Sequence, residues 1–238
     1  MSDNNILFDS DYVETMKQYM LSQGYKAVSV SSGNHDVYEK MPVYNFELHR
    51  SLYGSRHPNE WEAYYREIKK HLIQDEGTLY AYHMSKDDFY VYIVCHTMKH
   101  YQGSGTGIRS LLDFYVYLKK EEECLNFAYI EKQCQMLRIR EFERCCRQLS
   151  KRIFSDNVAA VYDQEQFERN LSEEEKQLLF CCLTSGVHGN FEKMMENRLE
   201  KYRKEDGSIS KFGYIKSRLF PGEKFISDNY PFFTSINI

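Results

Sequence analysis

From Tyr44 to His49 apolar and polar residues alternate without a break: Tyr44, Phe46 and Leu48 in one set, Asn45, Glu47 and His49 in the other. Successive side chains of a strand point to opposite faces. This stretch therefore reads as a strand with one apolar face for a core. Its polar face sets a carboxylate between an amide and an imidazole.

The residues around it supply partners. Asn4 to Phe8 reads as a short strand close to the first residue of the sequence, and Asp9 or Ser10 can cap a helix over about 11–22 that ends at Gly24. Lys26–Ser31 alternates and is rich in Val; Ser32-Gly33-Asn34 is a turn signal; His35–Lys40 reads as a further strand, broken from the next by Pro42. Asp3 and Asn5 alternate on the first strand. If that strand lies beside the one carrying Glu47, two carboxylates and an amide converge, a set that can hold Mg²⁺ on a triphosphate.

After residue 52 the period changes from two to that of a helix. Pro58 suits a first helical turn, and Trp61, Tyr64, Tyr65, Ile68 and Leu72 come after it at helical spacing. Ser85 to Asp88 resembles a capping box, with Asp in place of Glu, for a helix to about Tyr101 that Gly103, Gly105 and Gly107 end. Further helices are expected over about 108–121, 126–136, 140–153, 173–184, 190–204 and 209–219. Ser172 to Glu175 forms a capping box for the helix at 173. The expected fold class is α+β: a small sheet region over 1–52, then a larger helical region over 53–238.

Composition narrows the classes. A chain of 238 residues with 42% hydrophobic and 28% charged residues can bury a core. A net charge of -4 gives no general attraction to nucleic acid or to an anionic membrane. No apolar run approaches the roughly 20 residues of a membrane helix, and no signal peptide is visible, so the expected location is cytoplasmic. Seven cysteines, none in a C-x-x-C pair, fit reduced, buried thiols. The sequence sets no oligomeric state.

The densest group of ionisable residues lies elsewhere. His96 and His100 are one helical turn apart with Lys99 beside them, and a glycine-rich connection leads to Arg109, with Asp113 a turn further on. Three cations on one helix flank and a guanidinium at a helix start suit an anion such as phosphate. The histidine spacing can also bind zinc, but Thr97 stands where zinc proteases carry Glu. The plainer reading is a hydrogen-bonded helix interface, with Arg109 and Asp113 paired along their helix.

Asn34-His35-Asp36-Val37-Tyr38, Phe46-Glu47-Leu48-His49, His96-x-x-Lys99-His100 and Gly107-Ile108-Arg109-x-x-x-Asp113 together resemble the uncharacterised nucleotidyltransferase family of the DNA polymerase beta-like superfamily. Arg218-Leu219-Phe220-Pro221 and Tyr230-Pro231 fit it near the end. The resemblance implies a small mixed sheet of the nucleotidyltransferase fold followed by helices. It implies Mg²⁺-dependent transfer of a nucleoside monophosphate from an NTP to an acceptor hydroxyl. Asp3 and Glu47 are then the catalytic and metal-holding carboxylates. His96, Lys99, His100 and Arg109 are expected near the nucleotide. Asn5 stands where the family places a second Asp, and the family's Gly-Ser helix precedes Asp3, where this sequence has two residues. The expectation is a truncated or degenerate member with impaired transfer. The alternative is a non-catalytic nucleotide- or protein-binding module that retains the fold.

Overall fold

The computed structural model describes residues 4–54, 56–155, 167, 169–185, 190–200, 202–204, 207–219, 222 and 226. Asp3, Phe220, Pro221, Tyr230 and Pro231 lie outside the described residues. By their contacts the residues divide into two compact units, one within Met1–Lys70 and Ile215–Ile238, the other within His71–Tyr214.

In the first unit, β1 (Asn4–Leu7), α1 (Val13–Ser22), β2 (Lys26–Ser29), β3 (His35–Lys40) and β4 (Tyr44–His49) precede α2 (Asn59–Arg66). The strands form a mixed sheet in the order β1-β4-β3-β2. β1 runs parallel to β4, while the other pairs are antiparallel. The register sets Asn5 beside Glu47, Glu47 beside Val37, and His49 between Leu7 and His35.

One face of this sheet is apolar, as the alternation requires. Tyr38 and Leu48 pack there with Met20, and Met16, Tyr25, Ala27 and Phe46 close around them. Met16 and Met20 are one turn apart on α1, so a single helical stripe covers this face. Burying Tyr38 desolvates its phenol, which is pushed up to about 12, and the nearby Asp36 carboxylate adds to the rise. The opposite face carries Asn5, His35, Glu47 and His49.

α2 starts directly after Pro58, whose fixed φ suits a helix start. Trp61 and Tyr65 are buried one turn apart and gather on Tyr53, with ring centroids 5.2 and 4.9 Å from it. His57 meets the same ring edge-on at 5.0 Å. The α2 helix therefore groups with the sheet in one unit.

The second unit opens with a small hairpin, β5 (Ile73–Gln74) and β6 (Tyr82–His83), that the helical pattern did not suggest. Beyond it come α3 (Lys86–Gln102), α4 (Ile108–Glu121), α5 (Phe127–Met136), α6 (Arg140–Phe154), α7 (Glu173–Thr184) and α8 (Phe191–Glu200). α9 (Lys211–Leu219) closes the described elements. The caps expected from sequence are formed: Ser85 accepts from the Asp88 amide, and Ser172 and Glu175 make a reciprocal capping box. Leu111, Phe114 and Leu118 of α4 are fully buried at spacings of three and four, as are Tyr90, Val91, Val94 and Cys95 of α3. Each such side chain contributes roughly 1.5–3 kcal/mol by leaving water.

A buried polar cluster ties α3 to α6. Tyr90 donates to Glu143 Oε1 at 2.8 Å, and Arg147 Nε donates to the same oxygen at 2.7 Å. Glu143 thus has a cation and a hydroxyl against a carboxylate that is 6% exposed. The cysteines are free thiols, and all but Cys124 and Cys145 are buried. Burial raises the thiols of Cys134, Cys145 and Cys146, so they stay protonated. Among the described residues no helix is long and apolar enough to cross a membrane.

Candidate functional site

The polar face of the sheet is where donors converge. His35 projects from the first position of β3, and Glu47 and His49 lie two apart on β4. Their ligand atoms all lie within 4.8 Å of one another. His49 Nε2 is 2.8 Å from Asn5 Oδ1 and 3.6 Å from Glu47 Oε2. The rings of His35 and His49 face each other across the strand pair at 5.0 Å. His35 Nδ1 lies 3.3 Å from Asn34 Oδ1.

His35 and Val37 also line a cleft of about 480 Å³. Its other walls come from Ser29 of β2, the turn Ser32–Asn34, the segment Ser51–Gly54, and Arg56, His57, Glu62 and Arg66. Two guanidiniums and two imidazoles therefore stand against one carboxylate. Glu62 is itself engaged by Arg66 at 3.3 Å on the exposed side of α2.

The turn is held from below. The Asp36 carboxylate, 1% exposed, accepts from the Ser31 amide and from Arg50 Nη1, both at 2.8 Å. Arg50 Nη2 also donates to the Gly33 carbonyl at 2.6 Å. Ser31 and Gly33 both take positive φ, so the chain reverses tightly here. Asn34 adds a bond from Nδ2 to the Ser51 carbonyl. These bonds hold the turn whose residues Ser32–Asn34 line the cleft.

The group around His96 lies in the other unit. His96, Lys99 and His100 share α3, and Arg109 is exposed in the first turn of α4. His96 Nε2 and His100 Nε2 are 3.1 Å apart, so one ring donates to the other. Desolvation and then the Lys99 charge lower His100 to about 4, so its ring is neutral at physiological pH. Asp113 is raised by desolvation against the pull of Arg109. The glycine-rich connection between α3 and α4 is packed. Gly105, at φ +94°, leaves no room for a side chain, since a Cβ there would sit 2.6 Å from Ser185 Cβ. Asn197 donates to the Gly103 carbonyl, and Asn190 to that of Ser104.

Of the residues expected at the site, Glu47 lies on the sheet face, and His96, Lys99, His100 and Arg109 lie on α3 and α4. Asp3 is outside the described residues. Sequence reasoning set the His49 imidazole beside Glu47 on the polar face without giving it a ligand role, and passed over His35 as a donor and Arg56, His57 and Arg66 as cleft residues. A signal for the histidines was present. The turn Met41–Val43 sets Lys40 opposite Tyr44, and counting back along the hairpin puts His35 opposite His49.

A mixed sheet carries a helix on one face and acid and imidazole donors on the other, beside a cleft lined by Arg56 and Arg66. Residues 1–155, well over half of the chain, match the model of the uncharacterised nucleotidyltransferase family, and the chain belongs to that family. Neither the curated proteins nor the solved structures provide a match to it.

Nucleotidyltransferases of this kind generally use a divalent metal ion. Mg²⁺ favours near-octahedral oxygen ligands, typically carboxylates together with substrate phosphates. The convergent donors described on the sheet face are two imidazoles and one carboxylate. Asn5 brings a neutral amide to the position beside Glu47. This donor set does not fit Mg²⁺.

Proposed function

We propose that the cleft of the sheet unit binds the triphosphate of a nucleoside triphosphate. We further propose that the chain is a nucleotide-binding family member with attenuated transfer of the nucleoside monophosphate to an acceptor hydroxyl. The observation that carries the reading is the cleft itself: Arg56, Arg66, His35 and His57 line one concavity, together with Gly33 and Asn34. Guanidiniums match phosphate oxygens with paired donors, and glycine allows close backbone approach. The aromatic cluster on Tyr53 stiffens the wall that carries His57.

Attenuation rests on Asn5. The strand register sets it directly beside Glu47. A neutral amide there contributes no charge toward holding metal and phosphate as the nucleotide reacts. Asp3 remains the second carboxylate that the family resemblance assigns to Mg²⁺. We place the phosphate in this cleft rather than at His96, Lys99, His100 and Arg109, because the cleft gathers two arginines around one concavity, whereas His96 and His100 bond each other.

The test is calorimetric titration of the full chain with ATP, with and without Mg²⁺. Arg56→Ala and Arg66→Ala are each expected to weaken binding by about tenfold, and Lys99→Ala to leave it unchanged. Binding untouched by both arginine variants would overturn the cleft assignment. Incubation with labelled NTPs separates the two halves of the reading. Fast labelling of an acceptor, lost in Glu47→Ala, would refute attenuation while leaving the cleft in place.

A further inference from the structure

We propose that His35, Glu47 and His49 form a binding site for a borderline transition-metal ion of the Zn²⁺ class. Such a site differs in kind from the carboxylate Mg²⁺ centre that the family resemblance implies. It stands on the donor geometry alone and does not depend on nucleotide binding.

Imidazole nitrogens suit Zn²⁺ and its neighbours in the first transition row, whereas Mg²⁺ prefers oxygen. Two imidazoles and one carboxylate leave a fourth position open to water or a phosphate oxygen. The separations are close to what such an ion needs. Ligands at 2.0–2.1 Å in a tetrahedron lie about 3.4 Å apart, and Glu47 Oε2 is 3.6 Å from His49 Nε2. The widest separation within the trio, no more than 4.8 Å, closes with side-chain movements of about 1 Å.

The surroundings orient the donors. The contact of His35 Nδ1 with Asn34 Oδ1 anchors one ring nitrogen, as in the outer-shell arrangement typical of metal-bound imidazoles, where the other nitrogen meets the metal. Asn34 is in turn anchored to the Ser51 carbonyl. His49 Nε2 points between Asn5 Oδ1 and Glu47 Oε2, so an ion replacing its proton would meet both oxygens. The pairing His35↔His49 lies on rigid antiparallel strands, which places both rings without loop ordering. Of the three donors, His35 also lines the cleft.

The experiment is Zn²⁺ titration of the full chain against a competing chromophoric chelator, without nucleotide, with Mg²⁺ as a parallel probe. One Zn²⁺ is expected to bind, and Mg²⁺ in large excess should not displace it. His35→Gln and Glu47→Gln should each weaken Zn²⁺ binding by at least about 100-fold with the circular dichroism spectrum unchanged. His35 is only partly buried, so its variant keeps the test open if His49→Ala fails to fold. Co²⁺ substitution gives a second readout, expected to show nitrogen and oxygen donors without a thiolate charge-transfer band. Undiminished Zn²⁺ binding in a folded His35→Gln variant, a thiolate band, or equal affinity for Mg²⁺ would each overturn the proposal.

Discussion

The Arg50 guanidinium lies 2.8 Å from the Asp36 carboxylate, the latter almost wholly buried under the sheet. The pair joins the end of β4 to the start of β3 and holds the turn that lines the cleft. Removing Arg50 takes the cation from a buried carboxylate and leaves it the Ser31 amide. Arg50→Ala is therefore expected to destabilise the chain by about 2–4 kcal/mol, measured by urea denaturation. If the cleft binds nucleotide as proposed, the variant should weaken that binding too, because the Gly33 carbonyl loses its anchor. Loss of stability below about 1 kcal/mol would show that water replaces the guanidinium freely.

Gly105 tests the connection between α3 and α4. Its φ of +94° disfavours any L side chain, and a Cβ would overlap Ser185. Gly105→Ala is expected to cost about 2–4 kcal/mol from backbone strain and overpacking together. Adding Ser185→Gly should restore the packing part and leave the strain. Equal stability of the single and double variants would show that overlap contributes nothing.

The Tyr90–Glu143–Arg147 cluster predicts a graded response. Tyr90→Phe removes one donor from a carboxylate that keeps its cation, at a cost of about 1–2 kcal/mol. Arg147→Met removes the cation and is expected to cost about 3 kcal/mol or more. The order of the two, read from thermal or denaturant midpoints, is the check. A reversal would mean that Arg147, which is partly exposed, is dispensable to the charge.

His100 sets a pH signature. Its folded pKa, about 4, lies below the ordinary histidine value of 6.5. The unfolded chain thus binds the proton more readily, and the stability linked to the neutral ring is full above pH 6.5. It is lost as pH falls through the window from 6.5 to about 4. Wild type should lose more stability over that window than His100→Gln. A ring titrating near 6.5 by NMR would contradict the desolvated environment.

Much of the fold was legible because it is local. The period of two at 44–49 gave β4 and its faces, and Ser85 and Ser172 gave the starts of α3 and α7. The small hairpin β5–β6 was not legible, since each of its strands has only two residues and no alternation to read. Glu47 was legible as a candidate because its strand pattern isolates one acid among apolar neighbours. Arg56 and Arg66 were not. Nothing in their local sequence distinguishes them from solvated arginines, and the cleft they line exists only once α2 is placed beside the sheet.

By itself the sequence determined the features set by neighbours along the chain: strands, caps, the apolar face of the sheet, and family membership through its spaced motifs. Only the tertiary structure decided which polar groups meet. His35 reaches Glu47 and His49 through hairpin register, and His49 reaches Asn5 through the parallel pairing of two strands far apart in the chain. His96 and His100, part of the densest group by sequence, hydrogen-bond each other at 3.1 Å. The physical reason is that side-chain direction is set by local backbone geometry, whereas the partner at the end of a side chain is set by packing between distant segments.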